Sequence, residues 1–186
     1  MKKFKLMMVS SLLMVAGITT FAAKTNNKKL EKKSVVFTGA TKEKCMSLKN
    51  SKIYQTEITS TEWKEEGPLE EDANASFSGS STAKASAPAH CVVKEKIENR
   101  KGADGKDYSI GFELRLPAKW NNKFLFQGGG GLDGSVSPAT GTARPSGSTA
   151  EPALTRGYAV VSTDSGHFGS NTSFAKDQQA ILNYAF

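Results

Sequence analysis

The stretch that decides the fold runs from Phe112 to His167: FELRLP at 112–117, WNNKFLFQGGGGLDGS at 120–135 and GYAVVSTDSGH at 157–167. Four consecutive glycines, Gly128 to Gly131, follow the apolar run Phe124-Leu125-Phe126 directly. They put bare backbone at the end of a strand, where N–H groups can approach a ligand with no Cβ in the way. A flexible linker is the competing reading. Linkers, however, are not usually entered from a Phe-Leu-Phe strand and left through Leu132-Asp133-Gly134 towards a capped helix. The glycine spacing is not a dinucleotide fingerprint, and no Gly-Lys-Ser/Thr pattern supports a phosphate loop.

Working outward, Tyr108 to Leu116 alternates, with Tyr108, Ile110, Phe112, Leu114 and Leu116 on one face. That period predicts a half-buried strand ended by Pro117. Phe124 to Phe126 is apolar on both faces, as an interior strand of a parallel sheet would be. Ser148-x-x-Glu151 forms a capping box before a short helix that Gly157 closes, and Tyr158 to Ser162 is another continuous apolar strand. A further helix is expected from about Ala175. Upstream, Val35-Val36-Phe37 opens the folded part, Ser51 to Trp63 suggests a strand, and Gly67 to Asp72 reads as an acidic turn. Ser76 to Ala89 reads as a loop. Val92, Val93 and Ile97 suggest a strand, followed by a turn over Lys101 to Gly105. The crossover from Lys123 to Tyr158 exceeds the dozen or so residues that joining parallel strands requires. This order is the opening of an α/β sheet, with Tyr158 to Ser162 expected as its outermost strand.

The first 22 residues read as a secretory signal peptide: Lys2, Lys3 and Lys5, an apolar core from Leu6 to Ile18 too short for a membrane span, and small residues around Thr20-Phe21-Ala22. Residues 23–33 form a basic, disordered tail, and 34–186 hold the folded part. The 25 basic and 18 acidic residues give a formal charge of +7. From Ser34 onward the balance is 17 against 17. A neutral body with a basic leader argues against a nucleic-acid face, and no lipid anchor is indicated after signal cleavage. Two cysteines in an exported chain favour a disulfide, the alternatives being free thiols or partners beyond Phe186. A Cys45–Cys91 bond would close a loop of about 47 residues and restrict the unfolded chain by roughly 4 kcal/mol in the entropy account. No His or Cys cluster has metal-ligand spacing.

Asp164 and His167 lie in one short segment, whereas an acid–histidine pair must converge with a nucleophile, so a structural role in fixing the loop is expected for both. His90 is expected at the surface. Trp120 and Asn121 belong to a tight turn, with Trp120 packing under a neighbouring loop. Ser135, Ser137 and Ser165 are loop hydroxyls without a base motif, and no G-x-S-x-G nucleophile elbow follows the glycines.

Cys45-x-x-Leu48, Cys91, Leu116-Pro117-Ala118-Lys119-Trp120-Asn121, Phe124 to Gly134, Gly157 to His167 and Asn183-Tyr184 together resemble the N-terminal part of the tannase and feruloyl esterase family. The resemblance implies an α/β fold, the N-terminal part of an α/β-hydrolase, truncated before the nucleophile elbow. It implies a secreted or periplasmic serine carboxylic-ester hydrolase whose partners are small esters of aromatic acids. It also implies that Gly131, the fourth glycine, supplies an oxyanion-hole amide and that Cys45 and Cys91 form the N-terminal disulfide. The serine, acid, histidine and a calcium-binding lid all fall beyond Phe186 in that family, so no catalytic residue and no cofactor is assigned here, and the 186 residues alone are expected to be inactive and to fold poorly. Asn122 departs from the glycine common in the family after Trp-Asn, and Asn also tolerates left-handed geometry. The alternative reading is a secreted, disulfide-bonded ligand- or carbohydrate-binding module using Trp120 and the glycine loop.

Overall fold

Thr41 starts the first helix of the computed structural model, which describes residues 39–69, 85–142, 151–169 and 171–185. The signal peptide, the basic tail, the Val35-Val36-Phe37 start, most of the Ser76–Ala89 loop and Ser148 of the capping box lie outside the described residues. Helix α1 (Lys42–Ser47) begins because Thr41 keeps an extended backbone and its side chain accepts from the Lys44 N–H. A one-turn 3-10 helix, Leu48–Asn50, continues it. So short a helix is marginal by itself. What holds it is Cys45, bonded to Cys91 with Cα atoms 5.5 Å apart across 46 residues. Both cysteines are buried with Ile58 and Val93, and Trp63, Leu114 and Leu116 pack against them.

Among the described residues seven strands follow: β1 (Thr56–Lys64), β2 (Gly67–Pro68), β3 (Ser86–Ala87), β4 (His90–Lys101), β5 (Asp107–Pro117), β6 (Phe124–Gln127) and β7 (Ala159–Thr163). Five make one sheet in the order β1-β4-β5-β7-β6, and β2 pairs with β3. The β1–β4, β4–β5 and β5–β7 pairs are antiparallel, while β6 runs parallel to β7. A 3-10 helix (Thr172–Lys176) and α2 (Gln178–Ala185) end the described chain.

Register sorts the side chains onto two faces. Phe112 opposes Thr163, Leu114 opposes Val161, and Val161 opposes Phe126. The alternate residues Glu113, Arg115, Val160, Ser162, Leu125 and Gln127 therefore share the other face. This second face is covered by Ala139, Ala153 and Leu154, which bury Val160 together with Leu69 and Ala87. Fully burying one such aliphatic side chain contributes about 1.5–3 kcal/mol.

Several expectations change here. The alternation in β5 is present, but its polar side is the deeper one: Glu113 and Arg115 are 5% and 1% exposed. The ion pair Arg115 Nε–Glu113 Oε1 at 2.7 Å and the Ala139 N–H donated to the same carboxylate at 3.0 Å make that burial tolerable. Ile110, Phe112, Phe126 and Val161 instead line an open groove of about 530 Å³. Strand β6 is at the edge of the described sheet, not inside it, with Phe124 and Phe126 about 60% exposed. Strand β7, expected outermost, lies between β5 and β6, because the crossover returns the chain to the inner side of β6. Gly67-Pro68 is a ladder strand and not a turn. The helix expected after Glu151 is one turn, in which Gly157 and Tyr158 N–H bond Leu154 and Ala153 O. Gly157, at φ 81°, closes it as a Schellman motif. The segment stays short because Ala153 and Leu154 N–H are drawn to the carbonyls of Gly141 and Thr140. His90 is buried and not superficial, since it opens β4 on the covered face with Nδ1 2.7 Å from Pro88 O.

Candidate functional site

Strands β6 and β7 are parallel, so the loops at their carboxyl ends leave the sheet side by side, the usual place for ligands on an open α/β sheet. The first loop is Gly128 to Gly134 and the second is Asp164 to Gly169. They are sewn together by backbone bonds: Gly134 N–H to Asp164 O at 3.0 Å and Gly169 N–H to Gly134 O at 2.8 Å.

The four glycines are not equivalent. A Cβ on Gly128, Gly130 or Gly131 would meet nothing within 4 Å, whereas one on Gly129 would fall 2.5 Å from the Asp133 carboxylate carbon. Gly131 has φ 67°, a left-handed conformation that costs other residues roughly 1–2 kcal/mol. Its carbonyl accepts from the Tyr184 hydroxyl at 3.2 Å. Among the described residues no group accepts from its N–H. At the loop entrance the Gln127 amide donates to Pro138 O at 3.1 Å and accepts from Gly141 N–H at 2.7 Å, fixing the end of β6 to the return segment.

Asp164 serves the loop as expected, whereas both His167 ring nitrogens are buried without a hydrogen-bond partner among the described residues, so His167 fixes nothing by hydrogen bonding. Both Asp164 oxygens accept from Gly111 N–H, at 3.0 and 3.1 Å, and Oδ1 also accepts from Gly166 N–H at 2.9 Å. Glycine at 111 is what lets the carboxylate approach the middle of β5, since a Cβ there would lie 2.5 Å from Asp164 Oδ2. Burial raises the Asp164 pKa, a shift opposed by those amides and by His167. His167 is buried and stacks on Phe174 at 3.9 Å, with Tyr184 tilted against it at 5.6 Å. The Asp164 carboxylate thus holds backbone and does not orient an imidazole. Trp120 donates its indole N–H to Lys123 O at 2.8 Å, and Asn121 spans the turn from Lys123 N–H to Arg156 O. Asn122 adopts φ 64°, the left-handed geometry expected of it.

Sequence reasoning did not foresee which side chains contact this loop. Ser165 donates its hydroxyl to Asp133, joining the second loop to the first. The two residues are far apart in the chain and carry no shared motif, so only the pairing of β6 with β7 brings them together. The Gly131–Tyr184 contact is hidden for the same reason, although Asn183-Tyr184 is part of the resemblance.

The sequence pattern of the family described as tannase and feruloyl esterase matches residues 91–186. The mono(2-hydroxyethyl) terephthalate hydrolase of Piscinibacter sakaiensis is 40% identical over 115 residues, which is 56% of this chain and 19% of that protein. An esterase of Agrobacterium fabrum is 38% identical over 100 residues, 52% of this chain and 18% of its own length. The chain therefore spans about a fifth of the length of these curated relatives. Among solved structures, feruloyl esterase B of Aspergillus oryzae superposes with a TM-score of 0.56 at 24% identity, over 76% of this chain and 25% of that one. A second Aspergillus oryzae esterase gives 0.52 at 18% identity, over 78% of this chain and 26% of its own. These likenesses show the fold: a mixed sheet of the α/β-hydrolase kind, matching about a quarter of each of those chains.

Proposed function

The chain belongs to the tannase and feruloyl esterase family, and from that membership we propose that it forms the N-terminal part of a secreted serine carboxylic-ester hydrolase acting on esters of aromatic acids. The observation that carries this reading is the Gly131 N–H, at the carboxyl end of a parallel strand with no acceptor among the described residues. In the full-length enzyme a serine beyond Phe186 attacks the ester carbonyl with a histidine as base. The oxyanion that forms is held by the Gly131 amide. Residues of this chain hold this donor, and the nucleophile, acid and base come from elsewhere in the protein. The open parallel edge of β6 and the exposed Phe124 and Phe126 support a sheet that continues beyond it. A disulfide between buried cysteines supports the exported location, since such bonds persist in oxidising compartments.

By the family resemblance a calcium site would belong to the lid, and no step here is routed through it.

The test is a backbone ester at residue 131 in the full-length enzyme, glycolic acid replacing Gly131, which exchanges the N–H for an oxygen and leaves the rest in place. Gly131→Pro also deletes the N–H, but proline is locked near φ −65° and must turn the backbone away from 67°. Gly131→Ala keeps the donor and adds only left-handed strain. For hydrolysis of methyl gallate the ester should lower kcat about 10²- to 10³-fold, the usual loss for one oxyanion donor, with little change in KM. A folded ester variant with near-wild-type kcat would refute the assignment.

A further inference from the structure

The Ser165 hydroxyl has an assignment that neither its loop position nor the family resemblance supplies. Ser165 is a non-glycine residue at φ 61°, and its own N–H is held by the Thr163 hydroxyl at 3.2 Å. Thr163 in turn donates to Gly111 O at 3.0 Å on β5, so this bend is anchored to the sheet. A left-handed serine is uncommon, and strain of this kind persists only where the surroundings over-determine it. The consequence of the bend is that the hydroxyl leaves its own loop and meets the Asp133 carboxylate. Asp133 packs its carboxylate against the Cα of Gly129, in space that any side chain at 129 would occupy. The chain of contacts thus runs from β5 through Thr163 and Ser165 to Asp133, two residues after Gly131.

We propose that Ser165 and Asp133 are a positioning pair: their hydrogen bond fixes the glycine loop so that the Gly131 N–H faces the reacting carbonyl oxygen. The inference rests on the oxyanion reading of Gly131. The four glycines have no side chains of their own to hold a geometry, and a donor displaced by about 1 Å can cost on the order of 100-fold in rate. Sequence supplies the flexible part at 128–131, and the pair supplies its rigidity. Neither residue touches the reacting atoms.

The experiment compares five variants of the full-length enzyme with methyl gallate. Ser165→Gly removes the hydroxyl and accepts φ 61° without strain, so the backbone bend survives. Asp133→Ala removes the acceptor, Asp133→Asn keeps one, and the Gly131 backbone ester measures the donor itself. Ser165→Gly and Asp133→Ala should each lower kcat at least 10-fold with KM within about 3-fold. Their double mutant should be no worse than the poorer single, and Asp133→Asn should retain kcat within about 3-fold, because these two residues act as one unit. If the ester loses activity while Ser165→Gly and Asp133→Ala keep wild-type kcat, the positioning pair is overturned and the oxyanion reading stands. Losses of equal size from Asp133→Asn and Asp133→Ala would also overturn it. If the ester keeps wild-type kcat, the oxyanion reading fails and the pair fails with it.

Discussion

Replacing both Cys45 and Cys91 with alanine should loosen α1 from the sheet and destabilise β4 by an amount that the topology sets. The bond closes a loop across 46 residues. Releasing that loop returns roughly 4 kcal/mol of chain entropy to the unfolded state. Both sulfurs are in the core, at 1% and 0% exposure, so their removal also opens a small void beside Ile58 and Val93. Hydrogen exchange of the full-length protein reads the effect locally. Amides of β4 around Val92 and Val93 should exchange up to about a thousandfold faster in the double variant, since each 1.4 kcal/mol is a factor of ten. The protection of α1 should disappear. Trp63, which opposes Cys91 across β1 and β4, gives a fluorescence probe of the same opening. Peptide mapping without reduction should show Cys45 and Cys91 in one linked pair. Two free thiols in the exported protein, or unchanged β4 protection in the double variant, would refute the reasoning.

The glycine loop should answer substitutions unequally: Gly129→Ala must displace the Asp133 carboxylate and lower kcat about 10-fold or more, while Gly130→Ala meets open space and should stay within about 3-fold when methyl gallate hydrolysis is followed. Arg100 grips Asp177 through two bonds, at 3.0 and 2.5 Å, and Asp177 also accepts from Ala180 N–H at the start of α2. The Arg100 guanidinium lowers the Asp177 pKa from 3.8 to about 2. A carboxyl whose folded pKa is depressed contributes stability that is complete above about pH 4 and lost as the pH falls through about 2. Exchange of the α2 amides should therefore quicken over that window beyond the intrinsic chemistry, and Asp177→Asn should show the quickened state already at neutral pH. A variant with wild-type α2 protection at pH 7 would show that the pair is not the latch. Tyr184→Phe removes only an exposed hydroxyl from Gly131 O, so its kcat loss should be smaller than that of Ser165→Gly.

The elements most legible in the sequence were those whose cause is local. Gly157 ends its turn because the backbone there needs a positive φ, and Phe124–Gln127 and Ala159–Thr163 are strands, the latter one residue later than expected, because short apolar runs beside glycines suit little else. The parallel pairing of those strands also followed, because a crossover of that length has few other uses. The order of strands did not follow. Periodicity says that a strand is apolar on both faces, but not whether the covering layers come from the same stretch of chain, and β6 has its outer edge and one face open within the described residues.

Strand β5 shows how a correct period can mislead about depth. Ile110, Phe112 and Leu114 alternate with Gly111, Glu113 and Arg115, and transfer energies alone would turn the first set inward. In the described sheet the loops after β6 cover the opposite face, so Glu113 and Arg115 are buried there and satisfy one another, with Ala139 N–H completing the carboxylate. The desolvation cost of such a pair is met only because a second segment converges on it at Ala139, and neither segment announces this in sequence. Ile110 and Phe112 are then left facing the groove beside Phe126 and Tyr184, while Leu114 packs against the Cys45–Cys91 cluster. The same asymmetry runs through the candidate site: the glycine run is legible because it needs only its own backbone, whereas the Ser165–Asp133 hydrogen bond exists only because the β6–β7 pairing sets their loops side by side.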